Sequence, residues 1–335
     1  MKVFYYQRRD RVANYGDELN TWLWQQFLSE ALAQTDDSVL VGLGTLLNDL
    51  LPTRLGKTGT VFIFSTGAGY EKPLRAIPPH WKLYCVRGPL TAQRLKVPAE
   101  LAICDGAILL RRLVLSQAIA KKLESSRDLE IGSFEYPQGS NQESDRLISR
   151  KIAFMPHVHH ATFAGTIWAD LCHMAGFRYI DPRWSVEQVI TAIQESQLLL
   201  AEAMHGAITA DALGVPWIPI TTSPRILSFK WQDWCASIRQ PYQPVYLPPF
   251  PQEYPPYGRG ARSGLRAATH WGRAIAQGNW ISSTRWQEQI VIALKKIVKQ
   301  ERWFLSDRTH LENLTEALEQ TLSQLRRDVC STILE

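Results

Sequence analysis

The sequence holds no apolar run near the ~20 residues of a bilayer-spanning helix, and its first residues lack the apolar core and small-residue cleavage site of a secretion signal. A helical membrane span is therefore not expected. The expected location is the cytoplasm, with the inner face of the cytoplasmic membrane as the candidate place of work. Cysteine is scarce: the five (Cys85, Cys104, Cys172, Cys235, Cys330) are odd in number and form no CxxC pair. That argues against a disulfide framework or a paired-cysteine motif and predicts reduced core thiols. His157, His159 and His160 cluster, but no acidic or cysteine ligand pattern accompanies them, so no metal is expected. The segments Gly42-Leu-Gly44-Thr45 and Ser65-Thr66-Gly67-Ala68-Gly69 are neither GxGxxG nor a P-loop, which leaves a nucleotide without a motif. No internal repeat stands out. The net charge of +5 is too small to demand nucleic acid, and it suits an anionic substrate or a membrane surface.

What is present is an ordinary globular composition, 45% hydrophobic and 21% charged, in a chain of 335 residues, long enough for two domains. Its 12 tryptophans include aromatic surface of the kind that lines sugar sites, with most expected in the core. The chain is organised around residues 198–220. Leu198-Leu-Leu200 reads as a buried parallel strand, residues 207–213 as a short helix closed by Gly214, and 217–220 as the next strand. Glu202 and His205 then stand on a strand-to-helix loop, at the edge where open α/β sheets bind ligands. Gly206 lets helix-start N–H groups approach an anion. A carboxylate, an imidazole and a helix N-terminus suit acid–base chemistry on an anionic substrate. The alternative is that His205 only caps or packs the turn.

Strand–loop–helix units recur on both sides of this stretch, the mark of parallel sheets. Strands are predicted at 2–7, 39–44, 61–65, 82–86 and 100–104, then at 151–155 and 178–180 in a second series. Asp17 begins a helix whose apolar positions are Leu19, Trp22, Leu23, Phe27 and Leu28; it is either a favourable N-terminal charge or a cleft carboxylate. Arg87 follows a strand and precedes Pro89, where a guanidinium suits a carboxylate or phosphate as well as a structural ion pair. His157, at a strand end, is a candidate substrate contact, and Arg225 and Lys230 follow the strand beyond His205. The expected organisation is a Rossmann-like domain at 1–115, a polar connection at 116–150, a second Rossmann-like domain at 151–240, a loop at 241–282 and helices at 283–335. The loop carries seven prolines between 241 and 256, then Arg259, Arg262, Arg266 and Arg273; it reads as a surface loop or a basic, aromatic flap over a sugar-lipid acceptor. The stripe from Leu311 to Val329 either packs on a domain or forms a dimer seam.

In order, Asn14-Tyr-Gly-Asp-Glu-Leu-Asn20, Gly42-Leu-Gly-Thr45, Gly67-Ala-Gly69, Val86-Arg-Gly-Pro-Leu-Thr91, Asp105-Gly106, Pro156-His157 and Glu202-Ala-Met-His-Gly206 resemble the polysaccharide pyruvyltransferase family, closest to its bacterial exopolysaccharide branch. The resemblance covers about residues 1 to 235. It implies a GT-B-like fold, with two Rossmann-type parallel-sheet domains facing a cleft and C-terminal helices added. It implies transfer of pyruvate from phosphoenolpyruvate to a sugar diol, on an exopolysaccharide or its lipid-linked precursor, with no cofactor. The family histidine falls on His205, with Glu202 to orient it or to take a hydroxyl proton. Some members carry an arginine where this chain has Ala203. Arg87, Arg225, Lys230 and Arg262 are the candidates to replace it on the donor anion, with Gly206 for phosphate. Asp17, His157 and Gly67 are the expected acceptor contacts. A GT-B glycosyltransferase using a nucleotide-sugar, and a non-catalytic sugar-binding scaffold, are the competing readings.

Overall fold

The computed structural model describes residues 1–33, 37–114, 151–224, 226–247, 261–279 and 285–332. The expected connection at 116–150 and most of the proline-rich stretch lie outside them. Two parallel sheets form the frame. The first has strands β1 (Lys2–Phe4), β2 (Val39–Val41), β3 (Val61–Phe64) and β4 (Trp81–Cys85), in the order β1-β2-β3-β4. Its central strands, Val39-Leu-Val41 and Val61-Phe-Ile-Phe64, are buried along their whole length, as strands covered on both faces must be. Helices α1 (Tyr15–Leu32), α2 (Leu51–Leu55) and α3 (Pro89–Leu95) follow strands of this sheet.

The second sheet has strands β5 (Ile152–Met155), β6 (Arg178–Tyr179), β7 (Leu198–Ala201), β8 (Trp217–Thr221) and β9 (Val245–Tyr246), in the order β6-β5-β7-β8-β9. Its helices are α4 (Val158–Ala175), α5 (Val186–Gln194), α6 (Met204–Ala212) and α7 (Ser228–Ser237). Ser185 starts α5 through a capping box with Gln188, and Gly214, at φ +75°, closes α6. Helices α8 (Ala261–Ala276), α9 (Trp286–Lys299) and α10 (Arg308–Thr332) complete the described chain.

Two sequence expectations are corrected. Residues 100–104 form no strand. Ala99–Leu101 is a 3-10 turn, and a single bridge from Val86 to Ala102 is all the pairing that remains. The predicted loop at 241–282 contains β9 and α8. Prolines and arginines masked a helical spacing that buries His270 and Ala274, four residues apart.

One apolar core serves both sheets. It joins Leu19, Leu23 and Trp24 of α1, Phe62 and Phe64 of β3, Leu199 of β7, Ile208 of α6, Trp217 of β8 and Leu318, Leu322 and Leu325 of α10. Thus α10 crosses back to the first sheet, where Tyr84 Oη donates to Asp328 at 2.6 Å and Arg111 pairs with Glu312 at 2.6 Å. Its apolar stripe is consumed inside the chain. A second cluster packs α4 and α9, through Trp168, Ile290 and Leu294, on Phe154 and Ile220 of the second sheet. All five cysteines are free and four are buried, Cys330 being exposed. Among the described residues no helix is long and apolar enough to cross a membrane.

Candidate active site

Segments after the C-terminal ends of strands from both sheets converge on one cleft of about 300 Å³. Tyr6 and Arg8 come from the segment after β1, Leu43 to Asn48 from that after β2, His157 from that after β5, and Ala203 to His205 from that after β7. Lys230 enters from α7, and Asn14, Gly16 and Asp17 from the start of α1. Two helix N-termini, of α1 and α6, therefore meet here. Neither Asn14 nor Ala203 caps its helix with a side chain, but in α1 the Tyr15, Asp17 and Glu18 N–H groups already donate to backbone carbonyls, so it is the first turn of α6 that offers N–H groups to a ligand or water.

His205 occupies the first turn of α6. Its Nδ1 lies so close to Gly16 that a Cβ on Gly16 would overlap it. On its other side, Nε2 stands 3.7 Å from Asp105 Oδ2. Asp105 is fully buried and caps the 3-10 turn Gly106–Leu109, its Oδ1 accepting from the Ala107 N–H at 3.0 Å. The imidazole is thus held between α1 and a carboxylate, both contributed by the half of the chain that builds the first sheet. Tyr15 Oη and Thr209 Oγ1 share a hydrogen bond of 2.6 Å that ties α1 to α6 just behind it.

Asp17 lines the same cleft, held by the Asn14 amide, which donates to its Oδ2 at 2.7 Å. Burial pushes its carboxyl above the usual range, while the Asn14 hydrogen bond and the charges of His205 and Lys230 pull the other way. His157 is held well below the usual imidazole range by burial, then by Lys230 and His159, so it stays neutral at neutral pH. Its Nδ1 caps α4 by accepting from the His159 N–H at 3.3 Å. Positive charge comes instead from Lys230, 8% exposed, from Arg54, and from Arg8, which is already paired with Asp10 at 2.5 Å. Among the described residues no carboxylate lies within 4.0 Å of the Lys230 or Arg54 cation.

Four expected site residues lie elsewhere. Glu202 is fully buried and does not line the cleft. It accepts from the His157 N–H at 3.0 Å, the Thr222 N–H at 2.7 Å and the Thr222 hydroxyl at 2.7 Å, and pairs with His160 Nδ1 at 2.5 Å. Burial alone would raise its pKa; the His160 charge and hydrogen bonds overcome that and bring it to about 2. It therefore does not touch His205; it fixes the loops after β5 and β8. Arg87 is also fully buried. It donates to Asp233 at 3.0 Å, Thr45 Oγ1 at 2.9 Å, Gly44 O at 3.2 Å and Ala68 O at 3.3 Å, a strut under the glycine loops rather than a cleft cation. Gly67 packs against the Arg87 guanidinium, and Gly206 against Met155 Sδ, so each is a site of close packing outside the cleft lining. Arg225 and the Arg262 side chain lie outside the described residues.

Sequence reasoning passed over Asp105, Arg8, Arg54 and Gly16 as site residues. Asp105-Gly106 and Tyr15-Gly16 stood inside recognised motifs, which was the signal available. Arg8 directly follows the strand predicted at 2–7, a strand-end position like that of Arg87, whereas Arg54, inside α2, had no signal.

A family model described as "Polysaccharide pyruvyl transferase" matches residues 14–224, a span that holds Asp17, Arg87, Asp105, His157, Glu202 and His205. The chain is 34% identical over 273 residues to "Succinoglycan biosynthesis protein ExoV" of Rhizobium meliloti (strain 1021), covering 81% of this chain and 73% of that protein. No solved structure matches.

Proposed function

Because the chain belongs to the polysaccharide pyruvyl transferase family, we propose that it moves the pyruvyl group of phosphoenolpyruvate onto two hydroxyls of one sugar, forming a cyclic ketal on an exopolysaccharide precursor. The observation that carries this reading is the gathering, in one cleft, of His205 and Asp17 with the cations Lys230 and Arg54, neither of which meets a carboxylate among the described residues. The donor is a small trianion with a carbon that must be protonated, and the acceptor is a neutral diol. The cleft offers a group for each demand.

In the proposed reaction the His205 imidazolium gives its proton to the methylene carbon, leaving C2 electrophilic. Asp17 takes the proton of the first hydroxyl as that oxygen bonds to C2. Phosphate then leaves with the C2–O electrons, and the second hydroxyl closes the ring. Two C–O bonds, one C–H bond and one O–H bond on phosphate form, while the C=C π bond, the C2–O bond to phosphate and two hydroxyl O–H bonds break. Of the two hydroxyl protons, one is balanced by the new methyl group and one by inorganic phosphate. Lys230 and Arg54 hold the donor's carboxylate and phosphate, and the first turn of α6 adds N–H donors. His157, kept neutral, serves the acceptor. No metal or nucleotide is assigned a step. The two sheets are read as the Rossmann-type domains of a GT-B-like enzyme, at about 1–115 and 151–240, working in the cytoplasm on a lipid-linked acceptor at the membrane face.

Thermal midpoints of the full chain, with phosphoenolpyruvate, inorganic phosphate and a panel of nucleotide-sugars, test the donor. Phosphoenolpyruvate should raise the midpoint, and Lys230→Ala should cancel most of that rise. A rise with a nucleotide-sugar and none with phosphoenolpyruvate would overturn the reading.

A further inference from the structure

Beside the cleft, three buried polar atoms have no hydrogen-bond partner among the described residues: His205 Nε2 and, behind the cleft lining, Asp105 Oδ2 and Ser65 Oγ. Buried polar groups are almost always paired, so a group left open in a site asks for an explanation. Two of these atoms explain each other. Asp105 Oδ2 and His205 Nε2 face one another at 3.7 Å, about an ångström beyond the 2.7–2.9 Å of a charge-assisted hydrogen bond. They are complementary, one an acceptor and the other a donor when the ring is protonated. They also come from opposite sides of the cleft wall, Asp105 from the turn after the first sheet and His205 from the first turn of α6.

We infer that Asp105 is the positioning residue for His205, and that the two close into a hydrogen-bonded dyad when phosphoenolpyruvate occupies the cleft. The inference rests on the proposal that His205 is the proton donor. The geometry around the pair leaves it one way to close. Asp105 is fixed: it is fully buried, and Oδ1 is committed to the Ala107 N–H. Gly106, next along, can bear no side chain because a Cβ would run into Ser65 Oγ, and Ser65 itself sits at φ +61°. Movement must therefore come from the imidazole and the α6 turn that carries it. Gly16, against the opposite ring edge, leaves that ring no wider slot. The donor's negative charge, bound at the α6 N-terminus, would draw that turn toward the first sheet and bring Nε2 onto Oδ2. The proton would then sit on Nε2 facing Asp105, leaving Nδ1 as the ring nitrogen that serves the donor's methylene carbon. The loose pair is a resting state, and binding assembles the acid.

Proton NMR of the full-length wild type, with and without saturating phosphoenolpyruvate, reads the dyad directly. A strongly downfield Nε2–H resonance should emerge on binding and be missing from both Asp105→Asn and His205→Ala. Its absence from the liganded wild type would overturn the inference. Turnover is followed as phosphate release from phosphoenolpyruvate, with exopolysaccharide fragments stripped of acid-labile ketals as acceptor. Asp105→Asn keeps the Oδ1 acceptor for the Ala107 N–H and sets an uncharged NH2 donor, in place of the carboxylate oxygen, opposite His205 Nε2. It should lower kcat at least about 100-fold with KM within about two-fold. Wild-type kcat in Asp105→Asn beside an inactive His205→Ala would sink the dyad and leave the site reading standing. Normal turnover in both variants would sink the site reading itself.

Discussion

Glu202 and His205 stand three positions apart on one loop, yet they do unlike work. His205 meets the cleft, whereas Glu202 spends both oxygens on His157, His160 and Thr222 beneath it. The Glu202 carboxyl titrates at about 2 against an ordinary 4.5. Its folded value is depressed, so its stabilisation is fully present above pH ~4.5 and is lost as the pH falls toward 2. The difference corresponds to roughly 3 kcal/mol, shared with its partner His160. Wild-type stability measured in urea should fall across that window, and Glu202→Gln should be less stable at neutral pH and lose less on acidification. Equal slopes in the two proteins would contradict the assignment. Gly16 provides the complementary case. Gly16→Ala places a methyl group into the His205 ring. A loss of kcat of tenfold or more with a midpoint shifted by only a few degrees is expected; wild-type kcat would show that the ring has room to move.

At the level of elements, the strand-to-helix connections were legible in the sequence because parallel strands announce themselves as short apolar runs that break into glycine and charge. Residues 198–201, 217–221 and the Ser185 cap illustrate this. What was not legible was the direction in which a polar side chain leaves its loop. Arg87 and Glu202 occupy strand ends, like substrate-binding residues, but each turns inward to a partner from a distant part of the chain. Asp233 is 146 residues from Arg87, and Thr222 lies 20 from Glu202. Spacing carries no record of such partners. Asp105 was hidden for the same reason, since it meets His205 only through the packing of α6 against the turn that it caps. The Arg87–Asp233 pair bolts the start of α3 to α7, with the Thr91 N–H and hydroxyl also donating to Asp233 at 2.9 and 2.6 Å. Arg87→Ala strands a buried carboxylate, and a loss of about 3–5 kcal/mol is expected in urea unfolding. The phosphoenolpyruvate-induced rise in midpoint should survive in that variant. Loss of the rise at unchanged stability would return Arg87 to the donor site.

Across the whole molecule, the two sheets are bound by a single apolar core that α10 completes from the far end of the described chain. Unfolding should therefore be one transition, with tryptophan fluorescence and calorimetry giving the same midpoint. Two resolved transitions would mean that the shared core is weaker than its burial implies. Leu318, fully buried in α10, tests the same point locally: Leu318→Ala should cost about 2–5 kcal/mol and lower that one midpoint rather than split it. The crossing of α10 also bears on biogenesis. Translation delivers the first sheet early, but the helix that covers its side, with Leu318, Leu322, Leu325 and Val329, is made only after the whole of the second sheet. A nascent chain must carry an uncovered apolar face while the second sheet is being made, so chains that stall or terminate in that interval are natural clients of holding chaperones and proteases.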